Sequence, residues 1–285
     1  MKVESFFDEA TFTFSYVVYD PESLDGVIID PVLDYDPASG KVSKDSAQKL
    51  VEFVSGKGID VKLILETHAH ADHLSSAPYL KEIYPGAKVG IGATITLVQE
   101  TFCKVFNACD YIKTDGSQFD MLFEDGQKVS AGTLEFEVIY TPGHTPACAS
   151  YLFGDKLFTG DSIFMPDFGT GRCDFPLGSA EVLYDSIQKR IYSLPDDTEI
   201  YVGHDYMPNG RELANRTTVG QQKKSNIHVR ESTTKEEFVE MRNARDAQLS
   251  APKLLYPSVQ VNVNAGQLPP TEENGTSYIK IPVSL

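Results

Sequence analysis

The histidines of this chain concentrate in one short segment. Three of the six histidines lie within Thr67–His73, and the same segment also carries a carboxylate. The side chains concerned are those of His68, His70, Asp72 and His73. The segment follows the mostly apolar run Val61–Leu65, which predicts a buried strand with the histidines in the loop at its end. Because imidazole and carboxylate bind metals, and such loops carry function in open α/β sheets, the segment predicts a metal site.

Three further segments place a ligand-type residue after a predicted strand. They are Thr141–Pro146 with His144, Thr159–Ser162 with Asp161, and Val202–Tyr206 with His204. In each segment a glycine directly precedes the ligand type, where it lets the backbone turn sharply and approach the site. A single loop of this kind would be explained by a structural turn, whereas four of them predict convergence on a metal. From ligand types alone, the seven side chains predict two zinc ions.

The remaining pattern predicts the elements that position these loops. Helices are expected over 43–57, from His73 to Tyr84, over 94–106, over 179–193, and from the capping-box pattern Thr234–Glu237 to Leu249. Strands are expected between them, and two β-like pieces in the tail, Val259–Val263 and Tyr278–Val283. This order predicts an α/β fold with two sheets and outer helices. Residues 1–215 are expected to form the catalytic domain and residues 216–285 a C-terminal extension packed on it.

The charge balance restricts the partners. Lys and Arg total 25 and Asp and Glu total 41 in 285 residues, so the net charge is −16. Such an acidic chain repels phosphate backbones and anionic lipids, so neither nucleic acid nor a membrane surface is an expected partner. No apolar stretch predicts a leader or a membrane span, and a cytoplasmic location is expected. The cysteines, Cys103, Cys109, Cys148 and Cys173, are therefore expected to be reduced thiols.

The ligand-type residues, in their order along the chain, resemble those of the metallo-β-lactamase superfamily over about residues 6–206. The set is His68, His70, Asp72, His73, His144, Asp161 and His204. The resemblance implies an αββα four-layer sandwich with the metal site at one edge of the β layers. By resemblance to dinuclear members, one metal would be held by His68, His70 and His144. The second would be held by Asp72, His73 and His204, with Asp161 as the bridge.

Finer motifs resemble the persulfide dioxygenase branch of that superfamily. They are Gly169–Phe175, His204-Asp205-Tyr206, and Thr141–Pro146 with Cys148 close behind, while Pro257–Asn262 resembles the bacterial β-lactamase-hydrolase-like form. The branch implies an enzyme that oxidises glutathione persulfide with O₂ to sulfite and releases glutathione, in sulfide detoxification. It implies one Fe(II) per chain, held by the catalytic residues His68, His144 and Asp161. Two imidazoles and one carboxylate leave coordination positions free for other ligands. His70, Asp72, His73 and His204 would then surround these ligands.

Three residues are candidates for contact with the substrate or for redox chemistry. Arg172 offers a bidentate fork for a carboxylate of glutathione, or else forms a salt bridge with Asp174. Tyr206 contacts glutathione or packs in the core. Cys173 is a redox thiol activated by the neighbouring Arg172, or else a plain packed thiol.

Two other functions compete with the dioxygenase. The first is a glutathione thioester hydrolase resembling glyoxalase II, with two Zn(II); that family typically has a helical C-terminal domain, whereas Tyr278–Leu285 is β-like. The second is a non-catalytic redox or sulfide-sensing protein, which the complete ligand set argues against. A homo-oligomer, either a dimer or a tetramer, and a rhodanese partner are further expectations.

Overall fold

The computed structural model describes residues 1–283, which form two six-stranded sheets, a small third sheet and seven α-helices. From the N-terminus the elements are β1 (Lys2–Asp8), β2 (Thr13–Tyr19), β3 (Asp25–Ile29), β4 (Val32–Asp36), β5 (Lys41–Ser43), α1 (Asp45–Lys57), β6 (Asp60–Leu65), β7 (Leu74–Ser75), α2 (Ala77–Ile83), β8 (Lys88–Gly92), α3 (Ile95–Val105) and β9 (Met121–Phe123). They continue with β10 (Lys128–Ala131), β11 (Leu134–Tyr140), β12 (Ala149–Phe153), β13 (Lys156–Phe158), α4 (Ala180–Ser186), β14 (Glu199–Tyr201), β15 (Arg216–Thr218), α5 (Val219–Ser225), α6 (Lys235–Asp246) and α7 (Leu255–Asn262). A π-helical turn, Ile187–Ile191, extends α4, and a 3-10 turn spans Pro208–Gly210.

The first sheet brings the carboxyl ends of its central strands to one edge. Its order is β1-β2-β3-β6-β8-β9, with antiparallel pairing from β1 to β3 and parallel pairing from β3 to β9. Parallel strands end on the same side of a sheet. The residues that follow β3 and β6, including the histidine loop, therefore leave from one edge.

The second sheet presents the other ligand loops in the same way. Its order is β10-β11-β12-β13-β14-β15, and β13 and β14 form its parallel pair, with Phe158 opposite Tyr201. The segments that carry Asp161 and His204 therefore leave neighbouring strand ends. A small sheet, β5-β4-β7, lies beside the histidine loop because β7 begins directly after His73.

Three apolar layers separate the sheets and helices, and the alternation of side chains along the strands explains them. In β2, Val17 packs with residues of α1, α2 and α3, whereas Val18 packs with residues of the second sheet. A third layer joins the second sheet to α4 and α6, with Leu183 and Phe238 fully buried. Period-two alternation is the pattern expected of strands buried on both faces. The predicted αββα sandwich is confirmed.

Several local predictions are confirmed and others are wrong. The capping box at Thr234 is present, since its hydroxyl accepts a hydrogen bond from the N–H of Glu237 and the Glu237 carboxylate accepts one from the N–H of Thr234. The tail piece Val259–Val263 is not a strand but lies in and just after α7. Every residue from Pro257 to Asn262 is buried, so α7 lacks the exposed polar face that marks a helix in a sequence.

The end of the chain and its beginning also differ from expectation. Residues 278–283 form no strand, and Ser284 and Leu285 of the predicted β-like end lie outside the described residues. Strand β1 was not predicted; it pairs antiparallel with β2 along its whole length. After residue 215 the chain adds β15 to the second sheet, packs α6 on α4 and packs α7 on β7. No helix among residues 1–283 combines the length and the apolar character needed to cross a membrane.

The expectation of four reduced thiols is wrong for one pair. Cys103, near the end of α3, and Cys109, in the following turn, form a disulfide, with their Cα atoms 4.6 Å apart. The two residues lie six positions apart, and the turn that leaves α3 brings them together. Cys148 and Cys173 are free, as expected, and both are buried.

Candidate metal centre

The histidine loop is held at its first residues by a carboxylate from the neighbouring strand. Asp30 follows β3, and its Oδ1 accepts from the N–H of Thr67 (2.7 Å) while its Oδ2 accepts from the Thr67 hydroxyl (2.8 Å). The hydroxyl oxygen of Thr67 lies 3.0 Å from Nδ1 of His68. These contacts engage one ring nitrogen of His68 and leave Nε2 for the centre of the site.

Two histidines and one aspartate form the first group of ligand-type atoms. Oδ2 of Asp161 lies 3.9 Å from Nε2 of His68 and 3.6 Å from Nε2 of His144. The Nδ1–H of His144 donates to the carbonyl oxygen of Arg172 (2.7 Å), which fixes the ring with Nε2 towards the aspartate. The three donor atoms lie within 4.8 Å of one another, close enough for one ion. Two imidazoles and one carboxylate are a set that suits several transition metals.

A second group shares Asp161. Nε2 of His204 lies 3.2 Å from Oδ1 of Asp161 and 3.4 Å from Oδ2 of Asp72. The Nδ1–H of His204 donates to the carbonyl oxygen of Phe12 (3.0 Å), directly before β2. Nδ1 of His73 lies 3.0 Å from the same Asp72 oxygen. Asp161 therefore presents one oxygen to each group.

His70 lies between the second group and two further carboxylates, since one of its ligand-type atoms lies within 4.8 Å of those of Asp72 and His73. Its Nε2–H donates to Oδ1 of Asp30 (2.9 Å), and Oε2 of Glu66 lies 3.4 Å away. Burial alone would lower the pKa of His70, but the charges of Asp30 and Glu66 outweigh burial and raise this pKa well above its usual value. Neither Asp30 nor Glu66 was predicted from the sequence. An acidic residue at the end of a predicted apolar strand was the signal that could have found Asp30.

The buried polar atoms test whether the site fits a metal. Four that belong to predicted ligand residues have no hydrogen-bond partner among the described residues: Nε2 of His68, Nδ1 of His70, Nε2 of His73 and Oδ1 of Asp161. A buried polar atom without a partner is costly, and a cation would satisfy the nitrogen lone pairs and the carboxylate together. The donor set therefore fits a bound metal ion.

Burial and the neighbouring charges keep His68 neutral and Asp161 ionised. Burial, followed by the charge of His70, lowers the pKa of His68 well below its usual value, so this imidazole is neutral. Burial opposes ionisation of Asp161, but the histidines around it, led by His204, lower its pKa below the usual range. A neutral imidazole and an ionised carboxylate are the forms that bind metal. Burial also opposes protonation of His204, yet Asp161 and Asp72 raise its pKa to about 9.

Two glycines allow the loops to approach this closely. Gly160, before Asp161, has φ +47°, and a Cβ there would overlap the Thr67 hydroxyl. A Cβ on Gly171 would overlap the carbonyl oxygen of Asp161. The predicted role of glycine beside the ligands is therefore met by contact as well as by conformation.

A cavity of about 660 Å³ opens onto the first group. It is lined by the ligand-type residues His144, Asp161 and His204 and by the aromatic side chains of Phe164, Phe168 and Tyr206. Lys253 and Arg245 also line it and are exposed, and neither has an ion-pair partner within residues 1–283. The cavity is large enough for a peptide-sized small molecule.

The candidate substrate residues occupy distinct settings. Arg172 forms a bidentate ion pair with Asp174, at 2.5 Å for each hydrogen bond, and donates to the carbonyl oxygen of Ser250 (2.7 Å). The salt-bridge alternative is therefore what the structure contains. Tyr206 is 38% exposed and stacks on Phe168 with ring centroids 4.5 Å apart, so it lies on the cavity wall and not in the core.

Cys173 is a packed thiol. Its side chain is buried, and burial, then the charge of Asp246, raises its pKa above the usual value. Its N–H donates to Oδ2 of Asp246 (2.8 Å), and Oδ1 of Asp246 accepts from the buried Arg242. The expectation of an activated redox thiol is not met, because Arg172 is engaged by Asp174. The Arg242–Asp246 pair, which orders this segment from α6, was missed by the sequence analysis.

Comparison with known proteins agrees with this geometry. A model of the metallo-beta-lactamase superfamily matches residues 9–204, which contain all seven ligand-type residues. The chain belongs to the metallo-beta-lactamase superfamily. The resemblance inferred from the motifs is confirmed.

The superfamily relatives carry different names. Glyoxylase B2 of Dictyostelium discoideum is 49% identical over 99% of this chain and 97% of that protein. A beta-lactamase hydrolase-like protein of Agrobacterium fabrum is 47% identical over 99% of this chain and 65% of that protein. Mitochondrial persulfide dioxygenase ETHE1 of Homo sapiens is 30% identical over 93% of this chain and 89% of that protein. The crystal structure of ETHE1 from Myxococcus xanthus matches with a TM-score of 0.75 and 30% identity, over 94% of this chain and 100% of that chain.

Proposed function

We propose that this protein is an iron-dependent persulfide dioxygenase. Glutathione persulfide, O₂ and water would give glutathione, sulfite and two protons. The observation that carries the proposal is the grouping of His68, His144 and Asp161 at the cavity. The relative named persulfide dioxygenase, 30% identical, supports it.

The side chains of His68, His144 and Asp161 are enough to hold one ion. A dinuclear site of the predicted kind needs His70 as a ligand beside His68 and His144. In the structure Nε2 of His70 donates to Asp30, and Nδ1 of His70, which has no hydrogen-bond partner among residues 1–283, is the atom left for an ion. A bound Fe(II) would supply the redox chemistry with O₂. The protein keeps the His68 ring neutral, holds Asp161 ionised and fixes the His144 ring through the Arg172 carbonyl.

The cavity walls suit a glutathione-sized substrate. Glutathione carries two carboxylates, and Lys253 and Arg245 are cations at the cavity that no acidic side chain of residues 1–283 engages within 4 Å. Tyr206 and Phe168 supply an aromatic wall beside His204. Replacing Lys253 by Met is expected to raise KM several-fold with little change in kcat, because it removes uniform binding. Lys49→Met, on an exposed position of α1 outside the cavity, is the matched control.

Two measurements test the dioxygenase proposal: the binding of Fe(II) and the turnover of glutathione persulfide. Protein loaded with Fe(II) without oxygen is expected to bind one iron per chain and, with glutathione persulfide, to consume O₂ and release sulfite. His68→Ala is expected to lose both iron and activity, by about 100-fold or more. Two tightly bound zinc ions, with neither O₂ uptake nor sulfite release after iron loading, would reject the proposal.

A glutathione thioester hydrolase with two Zn(II) is the second candidate. The group of Asp72, Asp161 and His204 favours it because these atoms also lie within 4.8 Å of one another and share Asp161 with the first group. The name of the Dictyostelium relative supports it too. Turnover of S-lactoylglutathione by the zinc-loaded protein, at rates above those of the iron-loaded protein with persulfide, would favour this candidate. A cytoplasmic location, a dimeric or tetrameric state and a rhodanese partner remain predictions from the sequence.

A further inference from the structure

The last helix of the described chain contacts the histidine loop through one side chain. Asn262, at the end of α7, is 4% exposed and uses all of its hydrogen-bonding groups. Its Nδ2 donates to the carbonyl oxygens of His70 (2.9 Å) and His73 (2.7 Å). Its Oδ1 accepts from the N–H of Ser75 (2.8 Å). One carboxamide thus fixes three backbone groups of the segment from residue 70 to residue 75.

Within residues 1–283, no other side chain bonds to the backbone of residues 70–75. Asp30 fixes its beginning at Thr67, whereas Asn262 fixes its end. Asp72 lies between His70 and His73, whose carbonyl oxygens Asn262 anchors. Oδ2 of Asp72 lies 3.4 Å from His204, and Nε2 of His204 lies 3.2 Å from Oδ1 of Asp161. Asn262 is therefore connected through His73, whose ring contacts Asp72, and through His204 to the aspartate of the first group.

Helix α7 is itself fixed on the loop side. The Nε2–H of Gln99, in α3, donates to the carbonyl oxygen of Val263 (2.9 Å). Gly266, with φ +80°, lies so close to Pro78 and the Ser75 carbonyl oxygen that a Cβ there would have to displace them. Asn262 is therefore held rigidly against the loop, as a group that sets the position of another must be.

We propose that Asn262 is a positioning residue for the metal site, which anchors the end of the histidine loop and thereby sets the affinity of the site for its metal. This rests on the metal site of the proposed function but not on the reaction catalysed there. Asn262 lies outside residues 9–204, which match the superfamily model, so its role would belong to the C-terminal part of the chain.

The test compares two carboxamides of the same helix. Asn262→Asp keeps the acceptor for Ser75 but replaces the two N–H donors by an oxygen that faces two carbonyls. Gln260→Glu is the matched control, because Gln260 is also buried in α7 but bonds only to the backbone of Lys280, away from the loop. The measurements are the dissociation constants for Fe(II) and for Co(II), the visible spectrum of the Co(II) form, and the melting temperature of the metal-free protein.

Asn262→Asp is expected to weaken metal binding by about tenfold or more and to change the Co(II) spectrum. Gln260→Glu is expected to leave both within about twofold, even if it lowers the melting temperature equally. Asn262→Ser, which also lacks the two amide donors but stays neutral, is expected to show the same loss. Unchanged metal affinity in a folded Asn262 variant would overturn the proposal. It would also be overturned if both Asn262 variants failed to fold while Gln260→Glu folded, since Asn262 would then act on the fold.

The same measurements separate this proposal from the proposed function. A wild-type protein that binds neither Fe(II) nor Co(II) would remove the metal site and both proposals with it. A wild-type protein that binds metal but produces no sulfite would reject the dioxygenase alone. The comparison of Asn262 with Gln260 would still decide the role of the carboxamide.

Discussion

A single histidine beside the metal centre shows how burial and charge set protonation. His228 lies against the loop that precedes Gly171, and its Nδ1 accepts from the N–H of Thr170 (3.1 Å). Burial, then the charges of Arg242 and Arg245, lowers the pKa of His228 to about 4. An unfolded histidine titrates near pH ~6.5, so between these values the unfolded chain binds a proton that the folded chain does not. The free energy of unfolding therefore falls as the pH falls through this range.

Replacing His228 by Gln is expected to remove this contribution. The variant should lose less stability than the wild type between pH ~6.5 and ~4, because Gln does not titrate. Urea unfolding at several pH values in this range measures the difference. Parallel loss of stability in both proteins would show that His228 titrates normally in the folded state.

Gly171 predicts a second effect at the level of one residue. Gly171→Ala places a methyl group against the carbonyl oxygen of Asp161, and a backbone atom cannot give way as a side chain can. We expect a loss of about 1–3 kcal/mol in the free energy of unfolding, together with weaker metal binding. Gly86→Ala is the control, since nothing lies within 4 Å of a Cβ there, and it is expected to change stability by less than about 0.5 kcal/mol.

Residue types and order were enough to predict the ligand set but not the contacts that support it. The seven ligand-type residues follow predicted strands, and strand-end loops meet at one edge. Asn262 carries no such signal, because it reaches His73 across 189 positions and its helix has no polar face. The sequence also did not decide the partner of Arg172. It shows the charge of Asp174 two positions away, but not the direction in which the Arg172 side chain points.

Among the elements, α3 and the turn that follows it contain a disulfide where the sequence predicted reduced thiols. Cys103 and Cys109 are not a recognisable pair in the sequence, and only the turn after α3 brings their Cα atoms to 4.6 Å. Cys148 and Cys173 differ from them because both are buried, and burial raises the pKa of Cys148 to about 12. A neutral buried thiol is a poor nucleophile.

Thiol titration tests whether two cysteines are paired and two are free. Protein handled without reductant is expected to show no reactive thiol in its native state and two after denaturation. Peptide mapping should find Cys103 joined to Cys109. Four thiols after denaturation would show that the pair is reduced and would restore the expectation from the sequence.

At the scale of the whole molecule, the C-terminal part contributes to the core. Val259, Val261 and Val263 are fully buried, and each such side chain contributes about 1.5–3 kcal/mol to folding. Their sum is comparable with the whole stability of a typical domain. A chain ending at residue 251 is therefore expected to lose cooperative thermal unfolding, measured by circular dichroism. A chain ending at residue 270 keeps α7, lacks a mostly exposed tail, and is expected to melt within a few degrees of the full chain. Equal melting of both would show that α7 adds little.

The carboxamide at the end of α7 has a consequence for how the protein is made. When the ribosome has just added His73, it must still add 189 residues before the chain includes Asn262. The histidine loop gains its second anchor only when the nascent chain has been extended past that helix. Acquisition of the metal is then expected to be a late event of biosynthesis, and ions that meet the unfinished polypeptide should dissociate readily.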